Sequence, residues 1–181
     1  MRAFFYMIVS FMLFSDSLAQ SWKFDLGEGA PAKGYTKVTT NTKFNYTTGF
    51  GFDQGSVVRS VKRKGNDPLR CDYITSDKAF YFSVKIPEGN YDVKIILGDK
   101  EGSSATTVRA ENRRLFLPNI RTRKGEIVEK FFTVHVRDSV IKDSAGKAVR
   151  SVRLKPREIS YLHWDNLLTI ELMTHSPKFV G

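Results

Sequence analysis

The chain has 181 residues, a formal net charge of +10 and one cysteine. A lone cysteine, Cys71, makes no internal disulfide, so a disulfide-stapled mini-protein is excluded and stability must come from a packed core. A chain of this length buries about 70% of its unfolded surface as one domain. In chain order, Arg2 precedes an apolar run from Phe4 to Phe14, and the small residues Ser17 and Ala19 follow. This pattern predicts a signal peptide, residues 1–19, cleaved after Ala19. The run is about half of the ~20 residues a spanning helix needs, and no later stretch is longer. The mature part, residues 20–181, is therefore expected to be a single domain, secreted or periplasmic, with no membrane span.

Period-two patterning dominates after residue 50. In residues 79–86, Phe80, Phe82, Val84 and Ile86 share one face while Tyr81, Ser83 and Lys85 share the other. Pro87, Glu88 and Gly89 follow as turn residues, and then Tyr91, Val93, Ile95 and Leu97 alternate with Asp92 and Lys94. Two alternating runs around a Pro/Gly turn predict a β-hairpin. The pattern returns at residues 106–111, 132–137 and 168–172, with shorter candidate strands at 22–26, 57–61, 114–117 and 151–154. No sustained helical periodicity occurs. About nine short strands separated by Gly and Asp turns predict an all-β fold, an antiparallel two-sheet β-sandwich of jelly-roll type. The segment from Gly27 to Gln54, rich in Gly, Thr, Lys and Asn, reads as a long loop that carries Tyr35, Phe44, Tyr46, Phe50 and Phe52.

Catalytic chemistry finds little support. His135, His163 and His175 share no ligand spacing, and no H-E-x-x-H, cysteine pair or G-x-S-x-G elbow is present, so no catalytic residue is assigned. Binding is better supported. Tyr35, Tyr46, Phe50, Tyr73 and Trp164 supply flat apolar faces for a sugar ring, and Asp72, Asn112, Arg113 and Asp165 supply groups that orient hydroxyls. The basic clusters at residues 62–64 and 121–124 would attract a polyanion. For an exported chain that means acidic polysaccharide rather than nucleic acid.

Several stretches in order resemble a known family. They include Phe24-Asp25-Leu26-Gly27, Gly49-Phe50-Gly51-Phe52, Leu69-Arg70-Cys71-Asp72, Leu97-Gly98-Asp99, Glu111-Asn112-Arg113-Arg114 and Trp164-Asp165-Asn166-Leu167. Together they resemble the N-terminal galactose-binding-like domain of bacterial rhamnogalacturonan acetylesterases of the GDSL type, related to domains beside agarases. The resemblance implies a non-catalytic, carbohydrate-binding accessory β-sandwich. Its partners would be pectin-type polysaccharide of the plant cell wall and a GDSL-type esterase domain whose Gly-Asp-Ser strand is not in this sequence. The alternative it implies is a structural domain that packs on the esterase and binds no sugar. It also implies a possible structural calcium where the first and last strands meet, with Asp25 and Glu171 as the expected ligands.

Overall fold

The computed structural model describes residues 20–111, 113–153, 155–159 and 164–175; the predicted leader and Asn112 lie outside them. The strands are β1 (Phe24–Leu26), β2 (Thr36–Val38), β3 (Phe50–Phe52), β4 (Arg59–Lys62), β5 (Asp72–Thr75), β6 (Phe80–Lys85) and β7 (Gly89–Gly98). They continue with β8 (Ser104–Ala110), β9 (Arg114–Thr122), β10 (Ile127–Val136), β11 (Val140–Lys142), β12 (Ala148–Ser151) and β13 (Leu167–His175). Among the described residues two single-turn helices interrupt them: α1 (Pro68–Cys71), with Asp67 as its N-cap, and α2 (Pro156–Ile159). Among the described residues no helix is long and apolar enough to cross a membrane.

The main sheet is five-stranded and antiparallel, in the order β3-β6-β13-β8-β9. Register follows from alternation, because a one-residue slip would turn every apolar side chain outward. Phe82 lies opposite Ile170, which lies opposite Ala110; Phe80, Leu172 and Val108 form the next row. These rows face the core, together with Val84, Leu168 and the fully buried Phe52. Across the core runs the β7–β10 ribbon, paired over ten residues from Gly89–Val136 to Gly98–Ile127. It contributes Tyr91, Val93, Phe132, Val134 and Val136 to the same cluster. The sandwich expected from the sequence is thus present, with its second layer built from β7–β10 and shorter pairs.

Three expectations fail. β6 and β7 do not form a hairpin: β6 is flanked by β3 and β13, and β7 pairs with β10. The Pro87–Glu88 connection instead carries the chain from one layer to the other, where the Tyr91 hydroxyl donates to the Pro87 carbonyl at 2.6 Å. Alternation marks one buried face on each strand, and two such faces are satisfied equally well across a core as side by side. The segment from Gly27 to Gln54 is not one long loop, since it holds β2 and β3. β2 pairs with β1 in parallel, where an antiparallel arrangement was expected. Val38 and Phe52 from this segment are completely buried.

One charged contact ties the ends of the layers together. Arg63, just beyond β4, donates from Nε and Nη2 to both Asp99 carboxylate oxygens at 2.8 Å, and the Tyr73 hydroxyl donates to Asp99 Oδ2 at 2.7 Å. Bidentate pairing of this kind is stronger than a neutral hydrogen bond. Arg63 above all, then the Glu101 amide and Tyr73, hold the Asp99 carboxyl well below the usual carboxylate range, against the opposing effect of burial. A depressed folded value gives stability that is complete above about pH 4 and fades as pH falls toward that value. Asp99→Asn is expected to lower the unfolding free energy by about 2 kcal/mol at pH 7. Urea denaturation should show the gap to wild type narrowing below about pH 4; a pH-independent gap would contradict this account.

Candidate functional site

The outward face of the main sheet is polar because its residues alternate with those of the core. The same registers that align the apolar rows place Ser83 opposite Thr169, and Tyr81, Glu171 and Arg109 in one line across three strands. The Ser83 and Thr169 hydroxyls are hydrogen-bonded at 2.9 Å, and Arg109 Nη1 donates to Glu171 Oε1 at 3.3 Å. These polar residues are not simply solvated: Ser83, Thr169 and Glu171 are all buried. They form the floor of a cleft of about 670 Å3.

The walls come from loops, and the first depends on a glycine. Gly51 faces outward between inward-facing Phe50 and Phe52, opposite Ser83. It adopts φ +147°, and a Cβ there would strike the backbone of Lys43 and Phe44. That space lets the 42–44 segment fold against β3, with the Phe44 amide donating to the Phe52 carbonyl at 2.9 Å and the Phe52 amide to Thr42 at 2.8 Å. Phe44 and Tyr46 then stand at the cleft wall, edge to face with centroids 5.2 Å apart. Tyr46 remains 63% exposed, with the Lys85 ammonium 5.9 Å from its ring centre.

The second wall is the β8–β9 turn, where Glu111 and Arg113 have φ +41° and +59°. Non-glycine residues in this region cost energy and persist where their surroundings hold them. Glu111 is held doubly: its amide donates to the Thr169 carbonyl at 3.2 Å, and its Oε1 accepts from the Thr169 amide at 3.0 Å. Asp165 completes the rim, with Oδ1 accepting from the Leu167 amide at 2.9 Å. Burial pushes the Glu111 carboxyl up to about 7; Asp165 adds to this, while the Thr169 amide and Arg137 oppose it. On the floor, Glu171 Oε2 is buried with no hydrogen-bond partner.

Of the residues singled out in the sequence, Tyr46, Arg113, Asp165 and Glu171 converge on this cleft. The others go elsewhere. Tyr73 lies in a second cavity of about 1010 Å3 and is engaged with Asp99. Asp72 and Asp25 are buried neighbours that hold the turn after β1, accepting from the Gly29 amide at 2.6 Å and the Ala32 amide at 2.8 Å respectively. Burial raises the Asp25 carboxyl despite the Ala32 bond, and Asp72 adds to the effect. Tyr35 is half-buried, with the Lys23 ammonium 6.0 Å from its ring. Trp164 is half-buried under the Arg137 guanidinium, 5.5 Å from its ring, and lies outside the cleft lining. Asn112 falls outside the described residues.

The expected meeting of first and last strands is not found. β1 pairs with β2, whereas β13 lies between β6 and β8, so Asp25 and Glu171 occupy strands that do not pair and have different partners. Among the described residues no group of three or more His, Cys, Asp or Glu side chains is arranged to hold a metal ion. Reading for loop aromatics missed the floor and Glu111. Their signal was the polar half of the alternation, Tyr81 and Ser83 on β6 and Thr169 and Glu171 on β13.

Residues 22–150 match the profile of the beta-agarase/YXIM esterase-like, galactose-binding domain-like family. The chain belongs to that family. Beta-agarase A of Zobellia galactanivorans is 31% identical over 123 residues, which is 66% of this chain and 22% of the agarase. The uncharacterized esterase YxiM of Bacillus subtilis is 26% identical over 148 residues, 77% of this chain and 37% of YxiM. The crystal structure of the Bacillus subtilis YxiM protein superposes with a TM-score of 0.53 at 22% identity, covering 88% of this chain and 41% of that one. The chain thus spans less than half the length of each of these relatives.

A raised folded value makes Glu111 an opponent of stability once it ionises. Its favourable state is complete below the unfolded value of ~4.3 and is lost as pH rises through about 7. Glu111→Gln keeps an acceptor for the Thr169 amide and removes the ionisation. The wild-type domain should therefore lose about 2–3 kcal/mol relative to the variant between about pH 4 and 8. Parallel thermal melts of the two proteins across that range would refute the assignment.

Proposed function

We propose that this galactose-binding-like domain is a non-catalytic carbohydrate-binding module of an exported polysaccharide-degrading esterase, and that the cleft on its main sheet is the sugar site. One observation carries the reading. A cleft lined by carboxylates and hydroxyls has a wall that presents an exposed tyrosine, Tyr46. Sugar recognition asks for this combination: an apolar ring face to cover and fixed acceptors for hydroxyl donors. The family name and the agarase relative support it. Export rests on the predicted leader, and a pectin-type target rests on the resemblance to rhamnogalacturonan acetylesterases.

A second reading, a packing domain for the esterase, draws on Ile141 and Val149, apolar residues left 45% and 61% exposed on the β11–β12 hairpin. Fusion to a GDSL-type esterase domain would then raise the melting temperature of both parts without any sugar affinity.

Calorimetric titration with galactan and rhamnogalacturonan oligosaccharides tests the sugar reading. Tyr46→Ala removes an exposed ring, so folding should be unaffected. Loss of ~40 Å2 of covered sugar face costs about 1 kcal/mol, or roughly fivefold in affinity. Absence of binding by the wild-type domain at millimolar sugar would dismiss the proposal.

A further inference from the structure

We propose that the end of the sandwich away from the cleft holds a second binding site, for a carboxylate-bearing polysaccharide, with Arg121 as the residue that takes the carboxylate. Two basic stretches far apart in the chain, 62–64 and 121–124, meet there around Asp99. The Asp99 carboxylate holds Arg63 at 2.8 Å, and its carbonyl accepts from the Gly125 amide at 3.0 Å. Lys100, the next residue, lays its Nζ where a side chain on Gly65 would stand. Exposed Lys64, Arg123 and Lys124 and half-buried Lys100 are therefore carried on adjoining turns.

Arg63, Asp99 and Arg121 also line the cavity of about 1010 Å3, together with Arg59 and Asp77. Arg59 pairs with Asp77 at 3.2 Å and Arg63 with Asp99, so each carboxylate of the lining has its own guanidinium. Arg121, opposite Ala105 in the β8–β9 ladder, is exposed and has no ion pair or side-chain hydrogen bond among the described residues. Glu101, paired with Arg63, and Glu126, which accepts from the Arg123 amide at 2.8 Å, offset part of the charge and leave the cations in excess.

A guanidinium without a partner takes a carboxylate through two parallel hydrogen bonds. Beside Arg121 the lining offers the Asn119 amide and the Ser103 hydroxyl, groups that suit sugar hydroxyls. Single-stranded nucleic acid asks instead for a stacking face. The aromatics of the lining supply none: Tyr73 is half-buried and bonded to Asp99, and Phe80 is 3% exposed. Around the cavity, Lys64, Lys100, Arg123 and Lys124 meet the further carboxylates of a repeating acidic chain. The site is separate from the cleft, because β8 runs from the cavity at Ser104 to the cleft at Ala110.

The test is titration of the whole chain with octagalacturonate at about 0.05 M and 0.5 M salt. Binding is expected at low salt, with a loss of roughly tenfold at high salt. Arg121→Ala, which removes an exposed side chain, should weaken it about tenfold, as for a lost charge-assisted hydrogen bond. Arg121→Lys should recover only part of that loss, since an ammonium lacks the planar fork. Arg123→Ala/Lys124→Ala should weaken binding severalfold and flatten its salt dependence, and Tyr46→Ala should leave it unchanged. Lys147→Ala/Arg150→Ala takes the same charge from the β11–β12 hairpin, which is tied by Lys142 to Glu88 at the far end of the β7–β10 ribbon, roughly 30 Å away. It should change little. An equal loss in that variant would reduce the effect to net charge and overturn the site. So would loss of octagalacturonate binding on Tyr46→Ala, tighter Arg121-dependent binding of a single-stranded DNA octamer, or no octagalacturonate binding at low salt. Galactan binding at the cleft stands or falls separately, through its own dependence on Tyr46.

Discussion

Everything in this domain depends on the position of β13. It lies between β6 and β8, and its two ladders set the register of three strands at once. Leu168, Ile170 and Leu172 face the core, which obliges Thr169 and Glu171 to face outward between Ser83, Tyr81 and Arg109. Core and cleft are thus two sides of a single constraint. A shift of one residue would bury Glu171 in the sandwich and expose Ile170, an exchange the hydrophobic effect forbids.

What makes a cleft of the polar face, rather than an open surface, is the chain that folds over it. The 42–46 segment reaches the face because Gly51 has no side chain in its way, and the β8–β9 turn reaches it because Glu111 is bonded at both its amide and its carboxylate to Thr169. These walls take solvent away from Glu111 and Glu171. One responds with a raised proton affinity and the other is left with an oxygen that lacks a donor. A carboxylate on a bare sheet would do neither.

Charge shows the same gap between composition and place. The chain is basic overall, yet carboxylates dominate the cleft lining. A run of charge in the sequence also divides in three dimensions. Arg63 turns inward to Asp99 while its neighbours Lys62 and Lys64 stay in solvent. Net charge describes the field at a distance, and a bound ligand meets only the groups within a few ångströms.

The sequence by itself determined the all-β class, most strand positions and the direction in which each strand faces, because period-two alternation is written locally. Residues 80–86 and 91–97 show it plainly. It also marked Tyr46, Arg113 and Asp165, since loop aromatics and turn-borne polar groups are conspicuous in a strand-rich chain; Glu171 was named only as a calcium ligand that the family resemblance implied. Tertiary structure alone decided the partners. β6 and β7, adjacent in sequence and shaped for a hairpin, face each other across the core because burial rewards either arrangement. Asp25 and Asp72 became the anchors of a turn, and Trp164 became the seat of Arg137. Glu111, an undistinguished acid in a turn, became a cleft residue through hydrogen bonds to a strand 58 positions later. Pairing across such distances is set by the summed packing of the whole chain, and no local pattern encodes it.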